Sequence, residues 1–237
     1  MPETLVLLPG WGLGPAALEP LAQALRLSRP GAQVLIEPLP LGSDLEQVLA
    51  ELDRAVAPGA WLLGWSLGGM LAVALAARRG AACPGLISIA SNACFVAREG
   101  WPAAMAAETF DAFERLCAND PAATLKRFVL LCAQGSPAAR ALAKQLMPAD
   151  ARHADPGGLA LLAALDNRAA LAALAVPHLH LFASADALVP AQAAQALAQA
   201  APQARVAQAP GSHALVLEAP TALASQAWAF IEEFIHG

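Results

Sequence analysis

The chain of 237 residues is poor in charge, in paired cysteines and in long apolar runs. Asp, Glu, Lys and Arg make up 14% of it against 57% hydrophobic residues, a balance that raises the question of a membrane. No uninterrupted apolar run exceeds that of Met70 to Ala77, far short of the roughly 18 residues of a helical span, so no membrane segment is expected. Met1-Pro2-Glu3-Thr4 lacks a basic leader and the apolar stretch behind it is short, which argues against an export signal and for a cytoplasmic location. Cys83, Cys94, Cys117 and Cys132 are scattered with no C-x-x-C pair, so neither a zinc site nor a redox motif is indicated, and free thiols are expected. A formal net charge of −5 argues against nonspecific binding of nucleic acid. Nothing in the composition calls for a metal or a cofactor, and none is expected.

What is present is a serine between glycines. In Leu62-Leu63-Gly64-Trp65-Ser66-Leu67-Gly68-Gly69-Met70 an apolar run meets the pattern G-x-S-x-G and then helix-compatible sequence. Such a serine at a tight strand-to-helix turn exposes its hydroxyl, and only residues without a side chain fit beside the bend, a role for Gly64 and Gly68. A serine hydroxyl is a weak nucleophile until a base takes its proton, so the motif demands a histidine and an acid that orients it. Asp186 follows the apolar segment 176–182 and is the candidate acid. His213 follows the short strand-like stretch from Val206 and is the candidate base. The order Ser66, Asp186, His213 is that of α/β-hydrolases and differs from the chymotrypsin-like and subtilisin-like orders.

The rivals are weaker. Asp150, Asp155 and Asp166 sit in helix-like or turn-like sequence without a preceding strand and are expected to be solvated. His178 and His180 alternate along a strand with no further ligand cluster at zinc-like spacing, and read as structural. His153 lies in a polar loop and His236 in the C-terminal tail. Donors for a developing oxyanion are expected from the backbone N–H of Leu67, just after the nucleophile, and from that of Trp11 in the glycine-rich turn after the strand Leu5 to Leu8.

Strands near 5–8, 33–37, 60–64 and 85–90 alternate with helices near 15–27, 44–55 and 67–79. That alternation predicts an α/β fold, a mostly parallel sheet with helices on both faces. From Phe95 to Leu171 the sequence turns helical throughout, punctuated by prolines, before strand character resumes at Val176. Residues 1–94 and 172–237 are therefore expected to form the core domain and 95–171 an inserted helical cap over the serine. Within it, Pro121 to Ala149 carries Lys126, Arg127, Arg140 and Lys144 and no acid, a charge of +4 where the rest of the chain sums to −9. A basic island on an acidic protein fits an acidic partner, and equally an ordinary solvated helix face.

The chain resembles the BioH-like pimeloyl-acyl carrier protein methyl ester esterases, a family of α/β-hydrolases in biotin synthesis. The shared segments are Gly10-Trp11-Gly12-Leu13, Trp61 through Gly69, Ala90-Ser91 with Cys94-Phe95, Trp101-Pro102, Arg127-Phe128, Asp186 with Leu188-Val189-Pro190, and His213-Ala214. The resemblance implies an α/β-hydrolase fold and hydrolysis, without cofactor, of a pimeloyl methyl ester borne by acyl carrier protein. It implies substrate contacts at Trp11, Ser66, Leu67 and His213, an acyl channel lined by Phe128, Val129, Leu130, Leu131 and Cys132, and a carrier grip by Arg127, Arg140 and Lys144. It departs at Pro9, where the family has histidine, at Ala123, where it has a further arginine, in the loop Glu37 to Ser43, and in an absent N-terminal hairpin. Two other readings stand beside it: a broad short-chain carboxylesterase acting on small esters, and a noncatalytic binding module on the same fold.

Overall fold

The computed structural model describes residues 3–148 and 155–235. Six strands, β1 (Thr4–Leu8), β2 (Gln33–Ile36), β3 (Trp61–Trp65), β4 (Leu86–Ile89), β5 (His178–Ala183) and β6 (Arg205–Ala209), form one sheet in the order β2-β1-β3-β4-β5-β6, every pair parallel. The inner strands β3, β4 and β5 are buried at every residue, as continuous apolar runs covered on both faces must be. The helices α1 (Glu19–Ser28), α2 (Leu45–Ala55), α3 (Leu67–Arg79), α9 (Gln192–Ala200), α10 (Leu215–Glu218) and α11 (Pro220–Ile235) belong to this sheet, with α1 packed on α11 and α2 on α3. Side chains alternate along β3. Trp61 meets Phe230 of α11, and Gly64, on the other face, lies against Gly68 of α3. The sheet is thus sandwiched between α11 and α3.

Two sequence expectations need correction. The helix foreseen from Pro15 to Leu27 is a 3-10 turn, Pro15–Leu18, followed by α1 from Glu19. Pro20 explains the break: a ring without an N–H fits the first turn of a helix and no later position. Residues 95–106 are likewise not helical. They form a loop with bridges between Val96 and Met105 and between Arg98 and Trp101, turned at Gly100 with φ 72°. Asn92 holds it, its amide donating to Ala103 O (2.8 Å) and its oxygen accepting from the Trp101 indole (3.1 Å).

Helical sequence then continues as α4 (Ala107–Asn119), α5 (Pro121–Ala133), α6 (Ala139–Leu146), α7 (Pro156–Ala164) and α8 (Arg168–Ala173). Asp120 caps α5 through the Ala123 N–H (2.9 Å), and Pro121 takes its first turn. α4 packs on α5 and α7, and α5 on α6, whereas α8 returns to the sheet layers by packing on α3 and α9. The α4 to α7 layer touches the C-terminal ends of the strands through Phe113, Phe128, the Cys132 carbonyl and Gly158. No helix among the described residues is long and apolar enough to cross a membrane.

Candidate active site

Ser66 stands alone between the last residue of β3 and the first of α3, with φ 55° and ψ −121°, a conformation that side chains disfavour. The bend closes because its neighbours are glycines. A Cβ on Gly64 would lie 2.2 Å from Gly68 O, one on Gly68 2.2 Å from Leu8 O, and one on Gly69 2.6 Å from Ser91 Cβ. Gly69 is therefore a third obligatory glycine, outside the five-residue pattern. Ser91 Oγ donates to Ser66 O at 2.9 Å and pins the turn from β4's side.

Parallel strands deliver the partners to the same edge of the sheet. Asp186 follows β5. Its Oδ1 accepts the N–H groups of Leu188 (2.8 Å) and Val189 (2.9 Å), and its Oδ2 meets His213 Nδ1 at 2.8 Å. His213, in the loop between β6 and α10, places Nε2 2.9 Å from Ser66 Oγ. The Asp186 side chain is 1% exposed and the His213 side chain fully buried. With an acceptor-only carboxylate on Nδ1, the neutral imidazole carries its proton there and turns the Nε2 lone pair toward the serine hydroxyl. The histidine loop is tied on every side. Gly211 O accepts from Ala185 N (2.9 Å), His213 O from the Trp65 indole (2.8 Å), and the Ala214 N–H donates to Cys132 O (3.0 Å).

Trp11 follows β1, the neighbour of β3, so its loop lies against the elbow: a Cβ on Gly10 would sit 3.3 Å from Ser66 Cβ. Among the described residues the backbone N–H groups of Trp11 and Leu67 have no acceptor, which leaves both free for an oxyanion. The Trp11 ring packs edge-on against Phe128 (5.0 Å) and Phe113 (5.8 Å). A mainly apolar cavity of about 190 Å3 opens beside it, walled by Gly10, Trp11, Leu41, Leu67, Leu71 and Leu161.

Asp155, expected to be solvated, lines that cavity instead. Its Oδ2 accepts from Gly42 N (3.0 Å) and Gly158 N (3.1 Å), capping α7, and its carbonyl accepts from the Trp11 indole at 2.7 Å. Sequence reading missed this residue because the strand it serves lies more than a hundred positions away. Asp166 is also engaged: it pairs with Arg168 (2.7 Å) and accepts from the Cys94 thiol (3.3 Å), and the guanidinium holds its carboxyl below the usual range. Asp150, His153 and His236 lie outside the described residues.

Along α5, Phe128, Val129 and Cys132 are buried and Leu131 is half-buried, with the Phe128 ring 6.4 Å from that of His213. Leu130, expected in the same channel, is 62% exposed, because its place two residues from both Phe128 and Cys132 turns it to the outer side of the helix. Burial pushes the Cys132 thiol up, away from reactivity. Arg127, Arg140 and Lys144 are all exposed. His178 and His180 are buried in β5 and bonded to each other (2.9 Å), with His180 also on Ser88 Oγ (2.6 Å). No group of three metal-ligating side chains occurs among the described residues.

The alpha/beta hydrolase family profile matches residues 5–226. The chain is 44% identical over 204 residues to the biotin biosynthesis bifunctional protein BioHC of Cellvibrio japonicus, an overlap of 81% of this chain and 40% of that one. It is 40% identical over 219 residues to a pimeloyl-acyl-carrier protein methyl ester esterase of Aromatoleum aromaticum, covering 86% and 88%. It thus spans less than half the length of the bifunctional relatives, 40% and 30% for two of them. In structure it is similar to a bromoperoxidase from Bacillus anthracis, with a TM-score of 0.82 at 19% identity over 98% of this chain and 92% of the other, a likeness of fold alone.

Proposed function

The chain belongs to the alpha/beta hydrolase family, and from that membership we propose that it is a serine carboxylesterase cleaving the methyl ester of pimeloyl-acyl carrier protein. The observation that carries the chemistry is the buried chain from Asp186 through His213 to Ser66, with contacts of 2.8 and 2.9 Å. Ser66 Oγ attacks the ester carbonyl as His213 Nε2 takes its proton. The oxyanion that forms is met by the N–H groups of Leu67 and Trp11, each worth about 3 kcal/mol in such sites. His213 hands the proton to the departing methanol, and Asp186 stabilises the imidazolium meanwhile. Water, deprotonated by the same nitrogen, then cleaves the acyl-enzyme, and no cofactor takes part.

The substrate rests on the relatives named for it, at 40% identity, and on the basic surface of α5 and α6. We read residues 95–171 as a cap over the serine, with Phe128 in the acyl path and Arg127, Arg140 and Lys144 gripping an acidic carrier in the cytoplasm. A second reading, turnover of small free esters, is favoured by the apolar cavity beside Trp11 and by Ala123 standing where the family carries an arginine. Replacing Arg127, Arg140 and Lys144 together by glutamate separates the two. For a carrier-borne substrate the variant loses about tenfold or more in kcat/KM on the carrier ester, and the wild-type rate falls steeply with salt, while p-nitrophenyl ester turnover is unchanged. Equal effects on both substrates would leave the small-ester reading standing.

A further inference from the structure

Of the three triad side chains, Ser66 is fixed by its elbow and Asp186 by two N–H groups of its own turn. His213 is held instead by ties from other elements to its loop. Its loop must hold Nε2 within bonding reach of the serine and of the leaving oxygen in turn, where displacements of about 1 Å cost rate heavily. The ties to Ala185, Trp65 and Cys132 fix Gly211, His213 and Ala214 and leave Ser212, a fully buried residue whose N–H and hydroxyl both need acceptors.

One oxygen supplies both. Glu218 Oε2, six residues on and at the end of α10, accepts from Ser212 N at 2.6 Å and from Ser212 Oγ at 2.7 Å. The hydroxyl in turn accepts from Ala214 N at 3.2 Å, so the carboxylate, Ser212 and Ala214 bracket His213 from both sides. The loop is shaped for this visitor. Gly211 has φ +147°, and a Cβ there would lie 2.8 Å from Leu215 Cδ1 and 3.0 Å from Glu218 Oε2.

We propose that Glu218 is a positioning residue for the esterase reaction: through Ser212 it sets the place of His213 Nε2 between Ser66 and the leaving group. The inference rests on His213 acting as the base. Because one oxygen takes both bonds, geometry rather than charge is what the reaction needs, and a glutamine carbonyl oxygen in the same place serves equally well.

The test compares Glu218→Ala, Glu218→Gln and Ser212→Ala in the full chain, with rates normalised to folded protein by circular dichroism. Two readouts are taken: the rate at which a fluorophosphonate labels Ser66, and kcat and KM on p-nitrophenyl acetate. Glu218→Ala is expected to slow labelling and kcat by about tenfold to a hundredfold with KM little changed, and Glu218→Gln to stay within about threefold of wild type. Ser212→Ala, which keeps its N–H bond, falls between them, and adding it to Glu218→Ala costs little more. Full kcat in folded Glu218→Ala overturns the proposal, and so does a glutamine variant as impaired as the alanine one. Should the alanine variant fail to fold, the glutamine and Ser212→Ala variants decide alone: loss in the first or none in the second overturns it. A wild-type chain left unlabelled at Ser66 refutes the nucleophile itself, an outcome distinct from any of these.

Discussion

The strand ends that carry Ser66, Asp186 and His213 and the α4 to α7 layer above them differ in what they leave to the surface. At the strand ends backbone meets backbone: Gly64 and Gly68 each approach a carbonyl oxygen so closely that a single added carbon would stand 2.2 Å from it. The side chains there are buried and their polar atoms are partnered along two continuous chains, Asp186 to Ser66 and Glu218 to Ala214. The helical layer adds side-chain contacts, Phe113 and Phe128 against Trp11, to two backbone ones, the Cys132 carbonyl on Ala214 N and Gly135, where a Cβ would lie 2.2 Å from Ala185 O, and it turns Arg127, Leu130, Arg140 and Lys144 outward. The difference separates two tasks. On the reading proposed above, bond cleavage depends on the closely packed strand ends, and the outward faces of α5 and α6 are where a substrate would be chosen.

The largest effects should therefore fall at the strand ends. Ser66→Ala keeps the strained backbone and removes only the nucleophile, and is expected to lower kcat/KM on p-nitrophenyl esters by about 10⁴-fold or more with melting temperature little changed. Activity within tenfold of wild type would break the distinction at its root. Gly68→Ala is expected to lose both stability and activity, because the Leu8 carbonyl it meets belongs to a buried strand and cannot give way, at a cost of about 3 kcal/mol in urea titration. A fully stable Gly68→Ala chain would mean that the packing is looser than these distances require.

Why the strand ends were legible in the sequence, and the layer above them less so, follows from the same contrast. A strained turn admits few residue types, so Gly64, Ser66 and Gly68 are visible in one pattern, and parallel strands bring the loops after them to one edge, which makes Asp186 and His213 findable by their place after an apolar run. Gly69 escaped because its constraint comes from Ser91, in another strand. Trp65 and Glu218 escaped because an indole bonded to His213 O and a carboxylate bonded to Ser212 leave no spacing that a sequence must obey. Asp155 looked solvated because its partners, Trp11 and Gly42, are brought to it only by tertiary packing. Helix starts later than the apolar pattern suggests at two places for local reasons, Pro20 at α1 and the Gly100 turn before α4.

Effects of intermediate size should come where the helical layer touches Trp11. A Cβ on Gly158 would lie 2.5 Å from Cδ1 of the buried Trp11 indole, which Asp155 O and Phe128 hold in place, so the clash falls on a side chain and not on a carbonyl of the sheet. Gly158→Ala is expected to lower kcat on small esters by about tenfold through the displaced oxyanion loop while costing about 1 to 2 kcal/mol in stability. Asp155→Ala releases Gly42 and the α7 cap together and is expected to raise KM by a few-fold with kcat nearly kept. A Gly158→Ala variant as unstable as Gly68→Ala would erase the contrast between the two regions.

The last comparison is between two kinds of buried histidine, one in the loop after β6 and a pair in β5. His213 has a carboxylate on one nitrogen and a hydroxyl on the other, whereas among the described residues His178 and His180 bond only to each other and to Ser88, and His178 Nε2 is buried without a partner. Among the described residues no negative charge faces the β5 pair, so burial pushes His180 down from its ordinary 6.5 to about 3 and lowers His178 as well. In the unfolded chain both take up protons near pH 6.5, and the folded chain refuses them. Their contribution to stability is therefore full above the unfolded value and is lost as pH falls below about 6.5, for His180 down toward 3, at up to about 1.4 kcal/mol per pH unit for a group that stays neutral in the fold. Urea midpoints measured at pH 7 and pH 5 should differ more for the wild type than for His180→Asn, which has no proton to gain. An unchanged difference would mean that the pair carries its charge inside the fold, and that some acceptor other than Ser88 holds it there.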